Sequence, residues 1–167
     1  MGAEEHRELS RDTPVTCAVV TVSDTRTEAT DRSGALVRSM LENAGHSVAI
    51  YRIVPDEFDV ITKTISQLAR DVEVILLTGG TGITRRDGTF EAVSSMLEKT
   101  LPGFGEIFRM LSYNDVGPAS MLSRATAGVF ENTLVFSMPG STGAVKLAME
   151  KLIVPELSHL AWELVRQ

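Results

Sequence analysis

The chain has 167 residues, 43% of them hydrophobic, and a formal net charge of −6. That size is enough for one domain burying roughly 70% of the surface its unfolded form would expose. The acidic balance argues against general nucleic-acid binding, and the single cysteine, Cys17, excludes a disulfide framework and a cysteine-based zinc site.

Residues 1–13 read as a solvated tail ahead of a single domain over 14–167. Met1-Gly2-Ala3-Glu4-Glu5 is too charged for a signal peptide, and Gly2 has no second membrane signal beside it. No apolar run reaches the roughly 18 residues that span a bilayer. The expectation is a cytoplasmic protein. Val15–Ser23 is an apolar, β-rich strand containing Cys17, which reads as a buried core residue. A polar loop follows to about Asp31. Leu36, Val37, Met40, Leu41 and Ala44 recur at helical spacing, and Asn43-Ala44-Gly45 supplies the stop. His46–Val54 alternates as a strand and ends at Pro55-Asp56-Glu57. Val60, Ile61, Thr64, Ile65 and Leu68 mark a second amphipathic helix. Val72–Thr78 is a continuous apolar run, as expected of a strand buried on both faces of a parallel sheet.

Thr89 reads as the cap of a helix running to about Lys99. A further helix is expected over Phe104–Leu111, then two strands, Ala125–Phe130 and Thr133–Met138. Glu131-Asn132 joins them as a hairpin turn, Asn tolerating positive φ. Pro139-Gly140-Ser141 opens a last helix, interrupted at Pro155 and ending near Val165. The order strand–helix–strand–helix–strand predicts an α/β fold, a three-layer α/β/α domain with a mostly parallel central sheet.

Four polar clusters fall at the carboxyl ends of expected strands: Ser23-Asp24-Thr25, Pro55-Asp56-Glu57, Thr78-Gly79-Gly80-Thr81-Gly82 and Pro139-Gly140-Ser141-Thr142-Gly143. In open α/β sheets ligands bind at that edge. Thr78–Gly82 ends a buried strand in a Gly/Thr turn whose N–H groups suit an anion. It lacks the Gly-Lys-Ser/Thr of a P-loop and the third glycine of a dinucleotide fingerprint. A helix start at Ser141 and Thr142 offers unpaired N–H groups to a second anion. Arg85, Arg86 and Arg124 are candidate phosphate-binding cations, with Lys146 further along. Asp56 and Asp87 would repel a polyphosphate unless Mg²⁺ lay between them, so the pair points to a metal-assisted phosphate site. The three histidines form no metal-binding pair. The bland alternatives are turn or cap roles for Asp24, Asp56 and Asp87, a tight turn at Gly79–Gly82, and an ordinary N-cap at Ser141.

These segments resemble the MogA/MoaB family of molybdenum-cofactor biosynthesis proteins. The resemblance rests on V-S-D-T-R-T with Asp31-Arg32-Ser33-Gly34, V-P-D-E, T-G-G-T-G-I-T-R-R-D, G-F-G-E-I-F-R-M-L-S-Y, M-L-S-R-A and M-P-G-S-T-G-A-V. It covers about Val15–Leu160 and looks closer to MoaB. It implies a three-layer domain that forms homotrimers or hexamers, and partners drawn from the same pathway. It implies binding of molybdopterin and, in active members, transfer of AMP from Mg-ATP to its terminal phosphate with release of pyrophosphate. It places the family's two important aspartates on Asp56 and Asp87, as catalytic and Mg²⁺-holding groups, and adds Ser123, in M-L-S-R-A, to the substrate-binding set. Where the family commonly reads x-Thr-Pro-Glu after this aspartate, the chain has Gly88-Thr89-Phe90-Glu91. A non-catalytic pterin-binding oligomer of the same pathway is the alternative.

Overall fold

The computed structural model describes residues 13–165. All but the last residue of the expected 1–13 tail lies outside them. The strands are β1 (Thr16–Val22), β2 (Ser47–Val54), β3 (Val74–Thr78), β4 (Lys99–Thr100), β5 (Thr126–Phe130) and β6 (Thr133–Met138). The helices are α1 (Arg32–Asn43), α2 (Phe58–Leu68), α3 (Thr89–Met96), α4 (Pro102–Val116), α5 (Thr142–Ala148) and α6 (Val154–Val165). A 3-10 turn, Gly117–Leu122, follows α4. None of the described helices is long and apolar enough to cross a membrane.

One six-stranded sheet has the order β2-β1-β3-β6-β5-β4. The pairings β2/β1, β1/β3 and β3/β6 are parallel; β6/β5 and β5/β4 are antiparallel. Successive side chains of a strand point to opposite faces. Cys17, Val19, Val74 and Leu76 therefore share one face with α1, α4, α5 and α6, packing on Val37, Leu41, Phe108, Val145 and Leu157. Ala18, Val20, Ile75 and Leu77 share the other with α2 and α3, packing on Ile61, Ile65, Ala92 and Val93. This is the expected three-layer α/β/α arrangement. Its apolar runs are buried on both faces because helices cover both.

The register fixes the functional edge. Val22 pairs with Val54, Thr21 with Thr78 and Thr78 with Met138. Four neighbouring parallel strands therefore end together, and the four polar clusters leave the sheet along one rim.

Several boundaries differ from the sequence reading. Thr89 does not cap α3 but is its first residue, and α3 stops at Met96. Lys99 lies in β4, a two-residue edge strand flanked by bonds from Glu98 N–H to Val129 O (2.8 Å) and Leu101 N–H to Ala127 O (2.8 Å). β-Pairing with β5 overrides the helical look of Leu97-Glu98-Lys99. α4 is longer than expected because Pro102 suits the first helical position. In the hairpin it is Glu131, not Asn132, that takes positive φ (53°). Pro155 has no N–H and its ring crowds the carbonyl four residues back; a π-turn at Met149–Ile153 absorbs that before α6.

Candidate functional site

Asp56 leaves β2 just before α2, yet it does not cap α2. Glu57 holds the N-cap position without a side-chain bond. Asp56 Oδ1 instead accepts the N–H of Gly88, at 3.2 Å, across the rim. Its own N–H donates to Asp24 Oδ1 at 3.1 Å. Asp24 in turn receives a two-pronged bond from Arg86, Nε to Oδ2 at 2.6 Å and Nη2 to Oδ1 at 2.7 Å. The ends of β1 and β2 and the loop after β3 are thus joined through Asp24. The Arg86 hydrogen bonds hold the Asp24 carboxyl below its ordinary range. Burial pushes the Asp56 carboxyl above its ordinary range, and the negative charges of Asp87 and Asp24 push the same way.

Asp87 closes its own loop. Its Oδ2 accepts from Thr84 N–H at 2.9 Å and from Thr84 Oγ1 at 2.5 Å. The turn role weighed for Asp87 is therefore present, while its charge still acts on Asp56. Arg124 braces the loop from below, with Nε donating to Gly82 O (2.9 Å) and Nη2 to Asp87 O (3.2 Å). The same guanidinium pairs with Glu91 and lies 5.0 Å from the Phe90 ring centre. Phe90 thus packs under Arg124. Among the candidate cations, Arg86 and Arg124 both already hold carboxylates. Arg85 is exposed and pairs with no carboxylate among the described residues.

The glycines between these groups sit where side chains do not fit. Gly79 and Gly80 have φ of 101° and 65°. A methyl on Gly80 would collide with Thr89 Oγ1 and stand 2.5 Å from Asp56 Oδ2; one on Gly82 would stand 2.8 Å from Asp87 Oδ2. The loop is therefore a tight turn and also a close approach of backbone to both carboxylates.

On the other side of Gly79, Thr78 is fully buried, and its Oγ1 donates to Thr21 Oγ1 at 3.4 Å. Thr21 Oγ1 donates to Asp31 Oδ2 at 2.5 Å, as does Tyr51 OH, also at 2.5 Å. Asp31 Oδ1 caps α1 through Gly34 N–H. Burial and the Asp31 contact raise the Tyr51 phenol well above its usual range. Ser23 Oγ ties its loop by accepting from Arg26 N–H at 3.1 Å. Ser33 Oγ donates to Gly140 O at 2.6 Å, joining α1 to the end of β6. Ser141 caps α5 through Ala144 N–H at 3.2 Å. Beside this network lies a hollow of about 480 Å³ whose lining includes Arg26, Arg32, Ser33, Gly140, Ser141 and Thr142.

Asp56, Asp87, Asp24, Arg86 and Gly80–Gly82 thus gather on one stretch of the rim. Ser23, Thr78, Gly79, Gly140, Ser141 and Thr142 gather next to it around Asp31. Thr81, buried, bonds Arg124 N–H through its carbonyl, and Pro139 leads β6 into Gly140. Ser123 stands apart from both groups. It faces a separate hollow of about 370 Å³ with Phe90, Arg109 and Met121. Thr21, Arg26, Arg32, Ser33, Tyr51 and Thr89 join the site without standing out as site candidates in the sequence. The Asp-x-Ser-Gly stretch at 31–34 carried the signal for three of the polar contacts, an aspartate opening a helix.

A family model described as "probable molybdopterin binding domain" matches residues 18–159. The chain belongs to the MoaB/MogA family of molybdenum-cofactor biosynthesis proteins. Molybdenum cofactor biosynthesis protein B of Bacillus subtilis is 54% identical over 167 residues, spanning 98% of each chain. Its counterpart from Halalkalibacterium halodurans is 53% identical over 169 residues, spanning 99% of each. A crystal structure of a molybdenum cofactor biosynthesis protein B matches with a TM-score of 0.91 at 53% identity, over 93% of this chain and 99% of that one. The tungsten cofactor synthesizing protein MoaB from Pyrococcus furiosus matches at 0.79 and 39% identity, over 89% and 95%. As a MoaB/MogA member, the chain carries a molybdopterin-binding domain and acts in molybdenum-cofactor biosynthesis.

Proposed function

We propose that this protein transfers AMP from Mg-ATP to the terminal phosphate of molybdopterin. A terminal phosphate oxygen attacks the α-phosphorus of ATP, a new P–O bond forms, and the bond to the β-phosphate oxygen breaks to release pyrophosphate. One observation carries the reading: Asp56 and Asp87, from different strand ends, each approach the backbone of one glycine turn, at Gly80 and Gly82, closely enough for the Asp87 charge to act on Asp56. Two carboxylates along one turn fit a hard divalent cation, and glycine backbone drawn up to them at Gly80 and Gly82 fits a cradle for one. Bound there, Mg²⁺ would neutralise charge on the departing pyrophosphate. Asp56 and Asp87 would hold it, and the rim amides and the α5 start would fix the two phosphates in line. Such positioning supplies several kcal/mol of the roughly 7–11 that ideal proximity offers. The reaction belongs in the cytoplasm, where ATP is available and a lone cysteine stays reduced.

The assembly we infer is a homo-oligomer. Ile107, Met110, Tyr113 and Val116 are all exposed and recur every third residue along α4, with exposed Met121 and Leu122 beyond. A row of this size on one helix is the composition of a subunit contact, not of a solvated face. A second reading, a pterin-binding oligomer without turnover, is favoured by one observation: Asp87 Oδ2 is already engaged by Thr84. Incubation with molybdopterin, ATP and Mg²⁺ separates the two. Pyrophosphate release supports the transferase; pterin binding without release supports the binding protein.

A further inference from the structure

Thr89 opens α3 with a side chain that is fully buried, and its Oγ1 has no hydrogen-bond partner. A buried hydroxyl left unsatisfied costs about 1–3 kcal/mol. Such a group calls for an explanation, and valine would fill the same volume without that cost. Capping does not account for it. The N-cap position is Gly88, and it is the Thr89 backbone N–H, not the hydroxyl, that anchors the helix start, donating to Gly80 O at 3.1 Å.

The position of the hydroxyl does account for it. A methyl group on Gly80 would meet both Thr89 Oγ1 and Asp56 Oδ2. The two oxygens therefore lie around one point beside the Gly80 backbone, yet they form no bond with each other. Asp56 Oδ1 is taken by Gly88 N–H, whereas Oδ2 accepts from no described residue. The Gly88 N–H, which would repel a cation at a helix start, is thus already turned onto the carboxylate. An anion at this point would face Asp56 with Asp87 and Asp24 near. A hard divalent cation would find one carboxylate oxygen, one hydroxyl oxygen and a second carboxylate close by. Among the described residues no group of three or more His, Cys, Asp or Glu could hold a metal. A cation that takes one or two carboxylates suits such a sparse set, and that is the habit of Mg²⁺ rather than Ca²⁺.

We propose that Thr89 Oγ1 is an oxygen ligand, alongside Asp56 Oδ2, of a hard divalent cation at the start of α3. This rests on the reading of Asp56 as a cation-holding group, and it adds a ligand that is neither acidic nor exposed.

Mn²⁺ is the probe, titrated into the full chain by electron paramagnetic resonance with Mg²⁺ as competitor. Thr89→Val should weaken Mn²⁺ binding at least ~10-fold, the lower end of what loss of one supporting group costs a metal site. Thr89→Ser, which keeps the hydroxyl, should stay within about 3-fold of wild type on the same scale. Without metal, Thr89→Val should melt no lower than wild type, because only an unsatisfied oxygen is lost. Should valine disturb the circular-dichroism spectrum, Thr89→Ala replaces it. Wild-type affinity in a folded Thr89→Val or Thr89→Ala variant overturns the proposal, and so does a wild-type chain that binds no Mn²⁺. Pyrophosphate release is measured separately. Thr89-dependent Mn²⁺ binding without release sustains this proposal and sinks the transferase reading. Release with Mn²⁺ affinity indifferent to Thr89 does the reverse.

Discussion

Gly45 and Gly80 form a controlled pair for testing the close approach at the rim. Both lie in left-handed backbone, with φ of 87° and 65°. A side chain at Gly45 meets nothing within 4 Å, whereas one at Gly80 collides with Thr89 Oγ1 and stands 2.5 Å from Asp56 Oδ2. Gly45→Ala therefore isolates the backbone cost, about 1–2 kcal/mol for an L-residue held in that region. At about 2–4 °C per kcal/mol for a chain of this size, its Tm should fall by roughly 2–8 °C. Gly80→Ala bears the same cost plus overpacking, another ~1–3 kcal/mol. The new methyl also lies nearly 1 Å inside the 3.4 Å at which ordinary contact begins, so Asp56 must move by about that much. Disturbing a group that supports a metal site costs on the order of 10–100-fold in affinity. Thermal unfolding by circular dichroism and Mn²⁺ titration read the two effects. Gly45→Ala should lose stability alone; Gly80→Ala should lose more stability and ~10–100-fold in affinity. If both variants lose only stability, and equally, the approach of Gly80 to Asp56 has no bearing on the site.

Asp87→Ala should lower pyrophosphate release at least ~100-fold, as loss of an electrostatic group in a reaction centre does; release unchanged at saturating Mg²⁺ removes Asp87 from the mechanism. Asp56→Asn should melt higher than wild type at pH 7. The folded chain binds the Asp56 proton more readily than the unfolded chain does, so this carboxyl's contribution to stability falls as pH rises above the unfolded value of about 3.9. The gain should shrink as pH is lowered toward about 4, and a lower Tm for the variant at pH 7 refutes the burial cost assigned to Asp56. Burial, aided by the charge of Glu73, pushes the Cys17 thiol up to about 12. An aromatic disulfide reagent at pH 8 should leave the native thiol unmodified and react at once in denaturant; full reaction of the native chain contradicts the packing of β1.

The parts of the fold legible in the sequence are those where local pattern and tertiary packing agree. Cys17–Val22 and Val74–Leu77 read as buried strands because both of their faces are covered, and the structure covers both. The edge strand at Lys99 was illegible because its two residues owe their conformation to Val129 and Gly128, some 30 positions away. Asp56 and Asp87 stand out in the sequence because each follows a strand-end loop. Asp31 does not, since its sequence neighbours mark a loop and a helix start while its partners, Thr21 and Tyr51, come from two different strands. Thr89 reads as a cap in the sequence because threonine before an apolar stretch commonly is one. Its displacement by one residue into the helix turned a capping hydroxyl into a buried one without a partner.

The sequence also suggested arginines for phosphate where the structure has arginines for carboxylate. Arg86 grips Asp24 with two bonds, and Arg124 grips Glu91 while bracing Gly82 and Asp87 through their carbonyls. A phosphate that displaced Asp24 from Arg86 would exchange one oxyanion pair for another and free Asp24 beside Asp56. Three carboxylates would then crowd one stretch of the rim, and like charges at that range oppose ionisation of one another. A divalent cation relieves that repulsion, and a phosphate without one increases it. Under the proposed function, anion and cation binding at this rim would be linked, each improving the other's affinity by the same factor. Arg26 and Arg32, exposed beside Ser141 and without a carboxylate partner among the described residues, lie outside this exchange. An anion in the hollow they line would be held without disturbing Asp24, so under the proposed function one end of the rim would take phosphate together with metal and the other would take it without.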